Sequence, residues 1–372
     1  MIICFNCRQE TKHAIDKLIE SGHYSDISEV IQCAVDNLLV LQEEIADTGA
    51  IVISNDQPIA TELNKEDNPQ AIESKRKSRV LTPDQSEKTS KTAALEIPDI
   101  FSLNGLEDRT SAYGPMPSDV WTFGQEIPID RWIFGQYNRL LPVKASCRAL
   151  AHLLMDSPGG VPLEKSAIDI AGDAAKLGDF LAKHDDDNEL IRDARISTAF
   201  PTTDRREKGE MRYANQFVAS VNKQGQVSGL LIDLKFISHT SEKHPNIQLT
   251  EQGWKFAMMR NPVLEQEQSE PTQKLFDQEI QYLITHITHY VPVEAFAYRA
   301  IIKAIGEGST TPKQLDKALK PYASGNDVTD AFLSTQRSGA ISRMTDLGLI
   351  KRVREGVRVE YYATEKGREI LS

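Results

Sequence analysis

Residues 3–8 alternate in character. Ile3, Phe5 and Cys7 share one parity and Cys4, Asn6 and Arg8 the other, as in a strand with two unlike faces. Two helical stretches follow. ETKHAIDKLIESG carries Ile15, Leu18 and Ile19 and stops at Gly22. SDISEVIQCAVDNLLVLQEEI opens with Asp26 three residues before Glu29 and turns Val30, Ile31, Ala34, Leu38 and Leu41 to one side. A lone strand leaves its backbone groups unpaired, so this pattern calls for a partner strand, most simply from a second copy of the chain. Residues 48–95 then lose the pattern. They are rich in Ser, Thr, Lys, Glu, Asp and Pro, cannot bury enough apolar surface to offset ordering, and read as a flexible linker.

Aromatics return from residue 96, and helical periodicity runs through KASCRALAHLLMD and SAIDIAGDAAKLGDFLAKH. After a break at 265–273, Leu275, Phe276, Ile280, Leu283, Ile284 and Ile287 recur at three- and four-residue spacing, which predicts an amphipathic connecting helix. AYRAIIKAIGEG predicts a helix ended by Gly, and TPKQLDKALKPY one with Thr at the N-cap and Pro at the first turn. TDAFLSTQRSGAISRMTDLGLI predicts a third helix stopping at Gly348. KRVREGVRVEYYAT predicts a hairpin turning at Glu355-Gly356.

Two stretches repeat. Asp233-Leu234-Lys235-Phe236-Ile237 matches Asp346-Leu347-Gly348-Leu349-Ile350, and each is followed by Thr-Glu-x-Gly, at Thr250–Gly253 and Thr364–Gly367. The interval from Asp to Thr is 17 residues in one and 18 in the other. One architecture is therefore expected twice, with ISHTSEKHPNIQL as the hairpin of the first copy and MRYANQFVASVNKQGQVSGLLIDLKFI as its later helices.

Charge narrows the partners. The whole chain carries −11, yet residues 297–372 hold 13 Lys and Arg against 9 Asp and Glu, while residues 1–48 hold 3 against 9. A local basic face matters more for phosphate contact than the total. The third helix of the second copy sets a core face (Phe332, Leu333, Ile341, Met344, Leu347) against a small polar one: Ser334, Thr335, Gln336, Arg337, Ser338, Ser342 and Arg343. Small residues admit a DNA backbone closely, and Gln and Arg supply directed hydrogen bonds. The hairpin adds Lys351, Arg352, Arg354 and Arg358, a run suited to phosphate. In the first copy, Arg205, Arg206, Lys208 and Arg212 are the corresponding cations.

Other chemistry finds little support. Cys4 and Cys7 form a CxxC without the second pair that zinc sites of this kind use. His286 and His289 lack a third ligand nearby and read as surface or boundary residues. HDDDNE at 184–189 reads as a solvated helix end. No phosphate-binding loop, dinucleotide fingerprint, HExxH or GxSxG occurs, so no enzyme, cofactor or metal is expected. No apolar run suits a membrane span and the N-terminus does not read as a signal peptide, so the expectation is a cytoplasmic protein with no membrane partner.

The order strand–helix–helix, carried by FNCR, a Gly turn and SDISEVIQ, resembles the ribbon-helix-helix family over roughly residues 2–45. That resemblance implies a homodimer joined through the N-terminal strand, with Asn6 and Arg8 facing base edges. Helix–helix–helix–hairpin over about 293–372 resembles winged helix-turn-helix domains of the MarR or ArsR type, and the middle copy resembles the same fold with insertions. The implied fold is mainly α with small β-ribbons (α+β). It has a ribbon-helix-helix head at 1–47, a linker at 48–95, a winged-helix-like domain with an N-terminal extension at 96–262, a connecting helix at 263–292 and a C-terminal winged-helix domain at 293–372. The implied function is a dimeric, sequence-specific binder of double-stranded DNA acting as a transcriptional regulator. The alternative is a DNA-binding or assembly subunit of a larger nucleic-acid machine, with other protein subunits as partners.

Overall fold

The computed structural model describes residues 15–16, 96–106, 113–191, 194–202, 206–222, 224–241, 243–323, 328–356 and 358–370. The N-terminal head and the linker therefore lie outside the described residues, Ile15 and Asp16 excepted, as do Cys4, Asn6, Cys7, Arg8, Cys33 and Arg205. What is described is mostly helical, with three small antiparallel sheets.

The first copy is built on α1 (Leu141–Asp156), which is buried along most of its length. A two-residue strand β1 (Val161–Pro162) leads into the long α2 (Leu163–Asp187). Next come α3 (Arg206–Tyr213) and a π turn over Ala214–Val218. The stretch expected to hold the later helices also holds strands. A hairpin of β2 (Ser220–Val221) and β3 (Val227–Ser228) interrupts them, and only the short α4 (Leu230–Asp233) follows. The interruption is local in origin. Asn222 Oδ1 accepts the backbone N–H groups of Gln224 and Gln226, and Gly225 turns the chain at φ +80°. The expected hairpin then forms from β4 (Ile237–His239) and β5 (Asn246–Leu249), and β1 adds to the outer edge of β5. α5 (Glu251–Met258) closes the copy.

α6 (Asp277–Tyr290) is the expected connecting helix. Leu283 and Ile287 are buried on it, and Ile280 and Ile284 half-buried. An aromatic stack ties it to the first copy: Phe236 lies 5.2 Å from Phe256 and 4.5 Å from the His286 ring, and Phe256 lies 5.9 Å from Tyr282. His286 is thus a core residue, not the surface or boundary residue expected, whereas His289 is exposed.

The second copy consists of α7 (Pro292–Gly306), α8 (Pro312–Leu319), α9 (Asp330–Asp346), the hairpin β6 (Ile350–Glu355) and β7 (Arg358–Ala363), and α10 (Glu365–Glu369). Thr311 caps α8 in a reciprocal box with Gln314, Pro312 occupies the first turn and Gly348 turns the chain after α9 at φ +68°.

The repeat holds to the level of single hydrogen bonds. Thr250 N–H donates to Phe236 O, and Thr364 N–H to Leu349 O. Lys235 occupies the left-handed region at φ +57°, at the position Gly348 takes in the second copy. Where β1 flanks β5 in the first copy, Tyr361 N–H donates to Thr310 O in the second.

Candidate nucleic-acid interface

The expected polar face of α9 is the natural starting point, because the structure divides it. Gln336, Arg337 and Arg343 are buried at 1 %, 5 % and 0 % exposure. The expectation that these three side chains face outward is therefore corrected. Gln336 and Arg343 are covered by a strap of the same chain, residues 127–140, which runs along α9 before α1 begins.

The contacts fall at Gln336, Gly339, Arg343 and Asp346, one face of the helix at three- and four-residue steps. Gln336 Oε1 accepts the N–H of Gly135 at 2.5 Å, and its amide nitrogen lies 3.2 Å from the carbonyls of Ile129 and Trp132. Gly339 then meets Gly135 backbone to backbone. A Cβ on Gly339 would stand 2.1 Å from Gly135 O, and one on Gly135 2.1 Å from Thr335 O, so both positions require glycine. Arg343 donates to Tyr137 O and grips Glu294 of α7 with two nitrogens, at 2.6 and 3.0 Å. Asp346 accepts the Leu140 N–H at 3.1 Å and receives Lys274 Nζ at 3.0 Å. Burial opposes charge on Arg343, and the Glu294 carboxylate outweighs it, holding the guanidinium protonated. Arg337 turns aside to Asp316 at 2.6 Å and Ser334 at 2.8 Å.

What α9 shows to solvent is a narrower stripe: Ser338 is exposed, and Ser334, Thr335 and Ser342 are half-buried. The expected hairpin forms, and its cations lie at the surface. Lys351, Arg352, Arg354 and Arg358 are all exposed, with Arg358 beside Glu360 at 2.9 Å. In the first copy Arg206 is held by Asp179 at 2.6 Å, while Lys208 and Arg212 are exposed one helical turn apart on α3.

No family model, curated protein or solved structure matches this chain. The residues themselves carry the functional reading.

Two buried polar groups went unread in the sequence. Lys144 and Arg148, one turn apart on α1 and fully buried, cap the C-terminal end of α5. Lys144 Nζ reaches the carbonyls of Phe256 and Met259 at 2.5 Å, and Arg148 reaches Ala257 and Met259 at 2.6 and 2.7 Å. Glu279 and Glu265 supply the counter-charges, at 3.2 and 2.7 Å. Burial pulls the Lys144 ammonium down to about 8, against the pull of Glu279. These cations are helix-end fittings, closed to any ligand. Asp185 is likewise buried, not solvated: its carboxylate accepts the N–H groups of Ile196 and Ser197 at 2.9 and 3.0 Å. Among the described residues, no group of three His, Cys, Asp or Glu side chains is placed to hold a metal, and no helix is long and apolar enough to cross a membrane.

Proposed function

We propose that the protein is a DNA-binding protein of two tandem winged-helix modules, dimerised through its N-terminal strand, and that it acts as a sequence-specific regulator. The observation that carries the reading is the β6–β7 hairpin, on which Lys351, Arg352, Arg354 and Arg358 are all exposed, in the same module as the small polar stripe of α9. Four exposed cations on one hairpin suit the phosphate backbone. In this reading the two modules divide the work. The buried face of α9 is a joint to the strap, so contact falls to the hairpin, to Ser334, Thr335, Ser338 and Ser342, and to Lys208 and Arg212 of α3. Arg206 serves α3 by anchoring it to Asp179. Asn6 and Arg8 of the ribbon and Arg205 add contacts in the same proposal.

A second reading is an assembly subunit of a nucleic-acid machine. The joint between α9 and the strap favours it, because a winged helix whose third helix is already occupied by protein is suited to protein contact.

Binding of the full chain to duplex DNA across a salt series tests both. The regulator reading expects salt-dependent binding whose log–log slope falls by about 3–4 when Lys351, Arg352, Arg354 and Arg358 are all changed to Ala. Absence of salt-dependent affinity for any duplex would leave the assembly reading.

A further inference from the structure

The two modules differ most at the segment that forms α9 in the second. Three pairs of matching backbone bonds fix the register between them. Leu234 N–H donates to Leu230 O as Leu347 N–H does to Arg343 O, Lys235 to Ile232 as Gly348 to Thr345, and Phe236 to Leu231 as Leu349 to Met344. Counting back in that register, Asn222–Gln226 fall opposite Thr335–Gly339, the middle of α9. The first module carries the β2–β3 hairpin there instead, with Ser220 paired to Ser228 and Val221 to Val227. The base of this hairpin is closed. Gly229 sits at φ +144°, and a Cβ there would stand 2.7 Å from Val218 O, so the position requires glycine. The tip is open. Gln224, Gly225 and Gln226 are exposed, and a Cβ on Gly225 would meet nothing within 4 Å. Asn222 organises the tip from one side. Besides accepting the Gln224 and Gln226 N–H groups, it donates its amide nitrogen to Gln224 Oε1 at 3.3 Å and to Gln226 Oε1 at 3.2 Å. The matching stretch of α9 is closed, with Gln336 bonded to the strap and Arg337 to Asp316.

We propose that the β2–β3 tip is a base-reading element, with Gln224 and Gln226 recognising adenine in the major groove of duplex DNA. The inference rests on the DNA-binding reading and adds to it the residues that read sequence. A glutamine amide carries a donor and an acceptor side by side, the complement of adenine N7 and N6. The major groove admits a two-stranded ribbon as well as a helix. The ribbon also approaches phosphate without repulsion of its own, because no Asp or Glu occurs from Ala214 to Gly229 in a chain of net charge −11. Asn222 is a positioning residue that presents both amides. Lys208 and Arg212 of α3 supply phosphate contacts, which carry no sequence information.

The test is binding of the full chain, across a salt series, to two duplexes of equal length, one of A·T pairs and one of G·C pairs. A third duplex repeats the first with 7-deazaadenine in place of adenine, a base that pairs normally and lacks the N7 acceptor. The unmodified protein should prefer the A·T duplex by roughly five- to a hundredfold and lose that preference on the 7-deazaadenine duplex. Gln224→Ala combined with Gln226→Ala should remove both the preference and the sensitivity to 7-deazaadenine. The salt slope should stay unchanged in that variant, since no phosphate contact is lost. Salt-dependent binding with no A·T preference, or with a preference that survives in the double variant, would overturn the base-reading tip and leave the DNA-binding reading standing. Absence of salt-dependent binding to every duplex would overturn both.

Discussion

Thr250 and Thr364 perform the same task in the two modules. Each hydroxyl accepts the N–H of a glycine three residues on, Gly253 at 3.1 Å and Gly367 at 3.0 Å. Each also lies within hydrogen-bond reach of two carbonyls at the turn before the hairpin: Lys235 and Phe236 for Thr250, Gly348 and Leu349 for Thr364. One side chain thereby caps a helix and closes the strand end behind it.

Replacing either threonine by valine keeps the volume and removes the cap. Thr250 is fully buried, so Thr250→Val should cost about 2 kcal/mol, and the half-buried Thr364→Val about 1 kcal/mol. Urea unfolding of the full chain measures both. The glycines are stricter. A Cβ at Gly253 or Gly367 would lie 2.1 or 2.2 Å from a carbonyl oxygen, so alanine at either site should cost more than the matching threonine change.

The Arg343–Glu294 pair is buried on both sides, so removing one partner strands a charge. Arg343→Met and Glu294→Gln should each destabilise by about 3–5 kcal/mol, and Arg343→Met with Glu294→Leu by much less than their sum. Equal losses in the double and the summed singles would show that the pair acts through something other than mutual charge compensation.

His286 makes the stability of the fold depend on pH. Its Nε2 faces Leu234 O at 2.7 Å while Nδ1 has no partner, and burial holds the imidazole down to about 4. The folded protein therefore resists the proton that the unfolded chain accepts below about 6.5. Stability from this group is whole above pH 6.5 and is lost as pH falls toward 4, by about 3 kcal/mol at the limit. His286→Phe keeps the stack on Phe236 and should flatten the difference between urea curves taken at pH 7 and pH 4.5.

Lys144 is the counterpart inside the first module. Lys144→Met takes one donor from each of the Phe256 and Met259 carbonyls and the ion-pair partner from the Glu279 carboxylate, and a loss of about 3–5 kcal/mol is expected in the same unfolding assay. Glu279→Gln, which keeps hydrogen-bonding capacity toward Asn261 and Phe276, should cost less.

The elements of the second module were legible in the sequence because their signals are local. Thr311-Pro312, Gly348 and Glu355-Gly356 each specify a cap or a turn within a few residues. The repeat was legible for the same reason. What periodicity could not supply is the identity of the surface opposite a polar face. Gln336 and Arg343 look like solvent-facing residues until residues 127–140, more than 200 positions earlier, are laid over them. Neither Gly135 nor Gly339 announces the close approach, since a glycine in a loop and one in a helix are each unremarkable without the other. His286 and Asp185 were misread likewise: their burial depends on the aromatic stack and on the loop at 194–197.

Lys235 and Gly348 carry a last consequence. The two copies share a turn that favours glycine, and only the second has it. Lysine in the left-handed region costs about 1 kcal/mol of backbone strain. Its ammonium in return reaches Asp119 at 2.9 Å and fastens the 113–120 segment to the module. The first copy thus pairs a strained turn with a tether, whereas Gly348 leaves the second with a relaxed turn and no side chain there to tie. Lys235→Gly would therefore relax the turn and release the segment in the same stroke.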